Sequence, residues 1–253
     1  MNHENSPVTA KEENVLELDA GNTRLKWRVL QSGQVRGGGF LLKSDSWRER
    51  LPRLLDRFGM IDLARVSLVS GTRTETVLRS IISDGLGIPM LFARPCRSRH
   101  GVSIAYEDAS RLGVDRWLAM LAAHHYYPGR VKVIVDCGTA LTLDIVDGQG
   151  RHLGGFIVPG LSMMRQSLQM NTADLTLVDE ATKNGNLGKN TQECIGRGVL
   201  VMAAALIDKQ ARRYDDPVVL LAGGDAEQIE ACIDVNCALY KDIVMDGLAL
   251  AFD

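Results

Sequence analysis

The chain contains no apolar run near the roughly 18 residues that a membrane span needs, so no membrane-spanning helix is expected. It has no surplus of basic charge. Twenty-nine Lys and Arg stand against 31 Asp and Glu, a net charge of −2. That argues against nucleic-acid binding, which wants a basic face, and leaves a local anion site open. The five cysteines (Cys96, Cys137, Cys194, Cys232, Cys237) are odd in number and lack CxxC spacing. Neither a disulfide framework nor a zinc site is expected, and a reducing cytoplasm is the simpler compartment. Residues 1–13 are polar, lack the apolar core of a signal peptide, and read as a flexible extension. Of the histidines, only His124 and His125 are adjacent, and helical neighbours point about 100° apart, so they form no ligand pair. What remains is ordinary globular usage, 45% apolar and 24% charged over 253 residues. That length can build one large domain or two small ones, with a substantial core.

Two stretches share one shape. Asp19-Ala20-Gly21-Asn22-Thr23 follows the first strand-like run, and Asp136-Cys137-Gly138-Thr139-Ala140 lies at mid-chain. Each is an apolar strand ending in Asp, then a small residue, Gly and a Thr-bearing turn into another strand. The surroundings repeat as well. Residues 15–19, 24–30 and a run through Gly37-Gly38-Gly39 to Leu42 predict an antiparallel meander. Strand and helix then alternate, which predicts parallel crossovers. A helix is expected from about Asp108 to Tyr127, with Pro128-Gly129 as the domain boundary. After it, residues 131–136, 141–146 and 153–158 form a second meander, and Gly154-Gly155 echo the earlier glycines. A helix to about Gln169, a polar loop over 171–190 and a helix over 191–214 follow, and then more alternation. The sequence thus predicts an α/β protein of two duplicated halves, 14–129 and 130–253, after the extension 1–13.

The chemistry of the paired turns is phosphate binding. Gly21 and Gly138 let backbone N–H groups approach an anion closely. Asn22, Thr23 and Thr139 add side-chain donors, and Lys26 can reach toward phosphate. Asp19 and Asp136, at strand ends, can hold magnesium directly or through water. One such turn alone is more often a plain hairpin; the pair points to a nucleotide. Gly223-Gly224 fits an adenosine-side turn or an ordinary strand-to-helix turn. Between the two turns in sequence lies Gly113-Val114-Asp115-Arg116-Trp117. Asp115 suits the base or orienting carboxylate for a substrate hydroxyl, and Arg116 suits a cation for an acidic substrate. The bland alternative is an Asp-Arg pair on a solvated helix face. Arg94, Arg97, Arg99 and His100 form either an anion-attracting rim or a solvated loop.

Six stretches occur in one order: DAGNTRLKW at 19–27, GVDRW at 113–117, DCGTALT at 136–142, GGFIVPG at 154–160, GKNTQECI at 188–195 and AGGD at 222–225. Together they closely resemble type III pantothenate kinase, the family also labelled Bvg accessory factor. The resemblance runs from about Val15 to the C-terminus. The polar leader lies outside the family's usual start, and Cys137 stands where many members have Ala. The resemblance implies the fold of the acetate and sugar kinase, Hsp70 and actin superfamily, with ribonuclease-H-like halves. It implies ATP-dependent phosphorylation of pantothenate to 4′-phosphopantothenate, the first step of coenzyme A biosynthesis. It further implies a homodimer with pantothenate near the dimer interface. By match to the motifs, Asp115 is the base. Tyr106, Gly113, Val114, Asp115, Arg116 and Thr191 contact pantothenate. Asp19, Ala20, Gly21, Asn22, Thr23, Arg24, Leu25, Lys26 and Thr139 bind ATP. Asp136 holds a monovalent cation, potassium or ammonium, beside the magnesium that ATP brings; this replaces magnesium at Asp136. Two rivals stand beside the kinase: a nucleotide-dependent regulator without kinase activity, and a kinase for another small hydroxy acid or sugar.

Overall fold

The computed structural model describes residues 13–69, 71–170 and 185–252. The N-terminal extension up to residue 12 and the loop expected over 171–190, as far as residue 184, lie outside them. By compactness the chain divides into two units, Met1–Ala93 and Arg94–Asp253.

The first unit opens with β1 (Asn14–Ala20), β2 (Arg24–Gln31) and β3 (Gln34–Leu42), an antiparallel meander. Helix α1 (Trp47–Leu55) leads to β4 (Leu63–Leu68), and α2 (Gly71–Ile82) to β5 (Met90–Phe92). Strand order is β3-β2-β1-β4-β5, with β4 parallel to both β1 and β5. The alternation of β2 decides its sides. Leu25, Trp27 and Val29 enter the core with Leu16, Leu18 and Ala20 of β1 and Leu51, Leu78 and Ile82 of the helices. Lys26 and Arg28 therefore share the opposite face with Asp19 and Glu17, their register partners. Glu17 is fully buried and accepts from Arg28 Nε.

The second unit begins with a small hairpin, β6 (Ser98–Arg99) and β7 (Val102–Ser103), at the basic segment that carries Arg97, Arg99 and His100. Helix α3 (Val114–Tyr126) starts later than expected. Asp108 caps a separate single turn over 109–111, accepting from Ser110 N–H, and extended Leu112 breaks the run. A second meander follows: β8 (Lys132–Cys137), β9 (Ala140–Val146) and β10 (His152–Pro159). Then come α4 (Leu161–Met170), α5 (Thr191–Ala211), β11 (Val218–Ala222), α6 (Ala226–Glu230), β12 (Cys237–Leu239) and α7 (Ile243–Leu250). The sheet order β10-β9-β8-β11-β12 repeats the first sheet strand for strand. None of the described helices is long and apolar enough to cross a membrane.

Residues 94–129, expected in the first half, belong by compactness to the second unit. The reason is α3, which packs on β8, β9 and α7. Its crossing with α7 is close: a Cβ on Gly247 would lie 2.9 Å from Leu118 Cα and would also strike the Leu118 carbonyl. Residues 117–123 are buried all round, so no solvated face exists there.

The glycine echo between the meanders has a physical basis. Across the first sheet the register runs Glu17, Arg28, Gly38, and across the second it runs Ile134, Asp144, Gly155. Each set lies two residues up from the corresponding Asp, Asp19 or Asp136. Both glycines face a carbonyl of the neighbouring strand, Trp27 for Gly38 and Leu143 for Gly155, beside a charged residue.

Candidate active site

In the first turn, Gly21 N–H donates to the Arg24 carbonyl at 3.1 Å, and the Thr23 carbonyl accepts from Lys43 N–H at 2.9 Å. These bonds hold Asn22 and Thr23 exposed at the tip. Asp19 and Lys26 stand opposite each other on one face of the sheet. One short segment therefore presents a carboxylate, a primary ammonium and two small polar side chains. Ala20 and Leu25 face the core with no exposure, so only their backbone can serve a ligand. The Arg24 guanidinium lies over the Phe40 ring, 5.3 Å from its centroid.

The second turn closes in a similar way. Gly138 N–H donates to the Ala140 carbonyl at 3.1 Å, and Gly160 N–H to the Thr139 carbonyl at 3.0 Å. Thr139 is exposed at the tip. The Gly223-Gly224 turn leans directly on it. Gly223 has φ +93°, and a Cβ there would sit 2.5 Å from Asp136 Oδ1 and from the Cys137 carbonyl carbon. Asp225 N–H donates to the Cys137 carbonyl at 3.0 Å. Only glycine combines that backbone angle with that approach. Two stretches read separately in the sequence thus form one wall around Asp136. Burial pushes the Cys137 thiol pKa up, and the Asp136 and Asp225 carboxylates add to it. Cys137 is a packing residue.

The third stretch sits where α3 begins. Gly113 is the residue before the helix and Asp115 lies in its first turn. Asp115 Oδ1 accepts from Arg116 N–H at 2.8 Å. That oxygen is so close to Gly113 that a Cβ there would lie 2.7 Å from it. Burial raises the Asp115 pKa; the Arg116 N–H and guanidinium oppose it, and the Asp144 carboxylate adds to it. A half-buried carboxyl with a raised pKa suits proton transfer to or from a hydroxyl.

Arg116 does not point into solvent. Its Nε and Nη2 donate to the two Asp144 carboxylate oxygens at 2.7 and 2.6 Å, a bidentate pair. Its Nη1 donates to Tyr106 Oη at 3.0 Å. His152 Nε2 lies 2.9 Å from the same Asp144 Oδ1, and its ring stacks on Tyr106. Arg116, Asp144 and His152 are all buried. Burial works against both charges of the pair, yet Asp144 holds the Arg116 pKa up, and His152 and Arg116 hold the Asp144 carboxyl below the usual range.

Sequence reasoning missed Asp144, His152 and the role of Gly155. One signal was available: a lone carboxylate inside the apolar run Leu141–Val146 must find a buried partner. Thr191 lies on another element. It is the exposed first residue of α5, after Asn190, whose Oδ1 accepts from Glu193 N–H at 2.9 Å.

Residues 15–213 match the family model described as type III pantothenate kinase. This chain belongs to that family. Among type III pantothenate kinases, the one from Marinobacter nauticus is 34% identical over 238 residues, covering 92% of this chain and 96% of the relative. The one from Pseudomonas fluorescens strain SBW25 is 37% identical over 256 residues, covering 94% and 98%. Among solved structures, a Baf family protein from Campylobacter jejuni aligns with a TM-score of 0.61 at 18% identity, over 94% of this chain and 96% of that one. Component A of (R)-2-hydroxyglutaryl-CoA dehydratase from Acidaminococcus fermentans aligns at 0.53 and 12% identity, over 94% and 96%. At such identities the likeness concerns the fold alone. The two sheets of one strand order bear out the expected α/β architecture of duplicated halves, a fold shared with these solved structures. The matched residues 15–213 include both turns and the start of α3.

Proposed function

We propose that this chain phosphorylates pantothenate with ATP, giving 4′-phosphopantothenate, the first step of coenzyme A biosynthesis. The observation that carries the reading, beside family membership, is Asp115: a half-buried carboxyl with a raised pKa in the first turn of α3. In this reading Asp115 orients the pantothenate hydroxyl and takes its proton. The hydroxyl oxygen forms the new bond to the γ-phosphorus, and the bond to the ADP oxygen breaks. Gly113, Val114, Arg116, Tyr106 and Thr191 contact pantothenate. Residues 19–26 and Thr139 bind ATP, with Asn22, Thr23, Thr139 and Lys26 donating to phosphate oxygens and Ala20 and Leu25 contributing backbone only.

The described residues contain no group of three or more His, Cys, Asp or Glu that could hold a metal ion. Magnesium bound to a nucleotide needs only one or two protein carboxylates, because phosphate oxygens and water complete its shell. Asp19, at the strand end beside the exposed turn, fits that mode. When bound, magnesium neutralises charge on the phosphates. Asp136, beside the Cys137 carbonyl, offers the hard oxygen donors that a potassium ion takes, and ammonium could hydrogen-bond to the same oxygens. The same reading makes the protein a cytoplasmic homodimer with pantothenate near the dimer interface.

The test is direct. Purified protein is given ATP, magnesium and pantothenate, with potassium, ammonium or sodium as the only monovalent cation, and 4′-phosphopantothenate is followed by mass spectrometry. Turnover that is faster with potassium or ammonium supports the reading and the Asp136 assignment. Equal rates in all three salts remove the monovalent cation. No product in any salt overturns the kinase reading.

A further inference from the structure

The buried cluster behind Tyr106 does more than fill space. A guanidinium has five N–H groups in a fixed plane. In Arg116, Nε and Nη2 are held by the two oxygens of Asp144, so the plane cannot turn. Only then does Nη1 face Tyr106 Oη, 3.0 Å away. Asp144 is itself held from a second side by His152 Nε2 at 2.9 Å. The other imidazole nitrogen, Nδ1, accepts from Ala105 N–H at 3.4 Å. An imidazole nitrogen that accepts carries no proton, so in neutral His152 the hydrogen is on Nε2 and points at Asp144. The same ring stacks on Tyr106, with centroids 6.3 Å apart and planes 12° apart. Tyr106 is thus gripped twice, at its hydroxyl by Arg116 and on its face by His152.

The chemical consequence concerns the hydroxyl hydrogen. Tyr106 Oη accepts from Arg116, so its own hydrogen is directed elsewhere. Together with the unspent Nη1 hydrogen it makes two neighbouring donors for an anionic group. Asp144 cancels the Arg116 charge inside the protein, so this pair recognises an anion by direction more than by net charge.

We infer that Asp144 and His152 are positioning residues: they lock Arg116 and Tyr106 into a donor pair aimed at the anionic end of the phosphoryl acceptor. The inference rests on the pantothenate reading, whose substrate carries a carboxylate. It assigns roles to two residues that touch no substrate themselves.

The experiment is steady-state kinetics on wild type, Asp144→Asn, His152→Phe, Tyr106→Phe and the double variant Asp144→Asn/Tyr106→Phe. Asp144→Asn puts an amide donor where Arg116 needs an acceptor. Its KM for pantothenate is expected to rise about tenfold or more, with KM for ATP within about twofold of wild type. Because Asp144 acts through the Arg116–Tyr106 pair, the same change in the Tyr106→Phe background should cost less than about threefold. A purely structural role would raise both KM values and give costs that multiply in full in the double variant; either result overturns the inference. His152→Phe keeps a ring against Tyr106 but removes the hydrogen bond to Asp144. It provides the reading if Asp144→Asn fails to fold by circular dichroism, with pantothenate KM expected up about threefold. Unchanged pantothenate KM in folded Asp144→Asn and His152→Phe, with wild type active, sinks the inference alone. A wild type inactive with pantothenate sinks the functional reading on which it stands.

Discussion

Gly155→Ala measures how tightly the second meander is built around the Arg116–Asp144 pair. An added Cβ would lie 2.6 Å from Asp144 Oδ1 and 3.1 Å from Arg116 Nη2, and would strike the Leu143 carbonyl oxygen. The Leu143 contact is with backbone of the paired strand, so no rotamer relieves it. Asp144 cannot swing away either, because Arg116 and His152 hold it. Two responses remain: β10 separates locally from β9, or the carboxylate leaves the guanidinium. Overpacking of this kind costs about 1–3 kcal/mol, and breaking a buried pair costs about 3–5 kcal/mol. Between these limits, the expected loss is about 2–4 kcal/mol, read by urea unfolding of the unit that carries the pair. Two controls sharpen the result. Gly38, at the equivalent register, leaves a Cβ 3.1 Å from the Trp27 carbonyl, so Gly38→Ala should cost less. Gly198 on α5 has nothing within 4 Å of its added Cβ. There alanine should stabilise by up to about 1 kcal/mol through helix propensity. If Gly155→Ala loses less than about 0.5 kcal/mol, or no more than Gly38→Ala, the packing argument is wrong.

Asp115→Asn should lower kcat by about 10²-fold or more while ATP affinity, measured by calorimetry, stays near wild type. The Asp115 pKa is raised, so the base is lost by protonation as pH falls. The acid limb of kcat/KM should therefore lie above the ordinary aspartate value of 3.8, and a limb at or below it would contradict the assignment. Lys132 has no exposure, and its Nζ lies 2.9 Å from His124 Nδ1. Burial lowers the pKa of both, and for His124 the Lys132 charge adds to the effect. A group with a depressed folded pKa takes up its proton more readily when unfolded, so His124 should cost stability as pH drops below its ordinary value near 6.5. Lys132→Met removes a buried cation and should flatten that loss without lowering Tm at neutral pH. A drop of more than about 5 °C, roughly 1–2 kcal/mol, would show that the ammonium is needed. Among the cysteines, exposed Cys194 should react first with a thiol reagent at pH 8, and buried Cys137 only on unfolding; early labelling of Cys137, located by peptide mapping, would refute its packing role.

Much of this protein follows from local pattern. The alternation of Leu25, Trp27 and Val29 with Lys26 and Arg28 set the sides of β2, because strand side chains alternate whatever lies around them. Asp-x-Gly after an apolar strand marked both turns, because that composition permits few other backbones. These are short-range preferences, and they sufficed for the meanders, the duplication and the positions of Asp19, Asp136 and Asp115. Tertiary structure alone decided three further matters. It assigned α3 to the second unit, since a helix apolar on every side cannot announce which sheet it will cover. It brought Gly223 against Asp136, across 87 residues of chain, through the parallel pairing of β11 with β8. And it turned Arg116 inward onto Asp144, 28 residues away, because a buried carboxylate must be matched by a charge whose identity no local window contains.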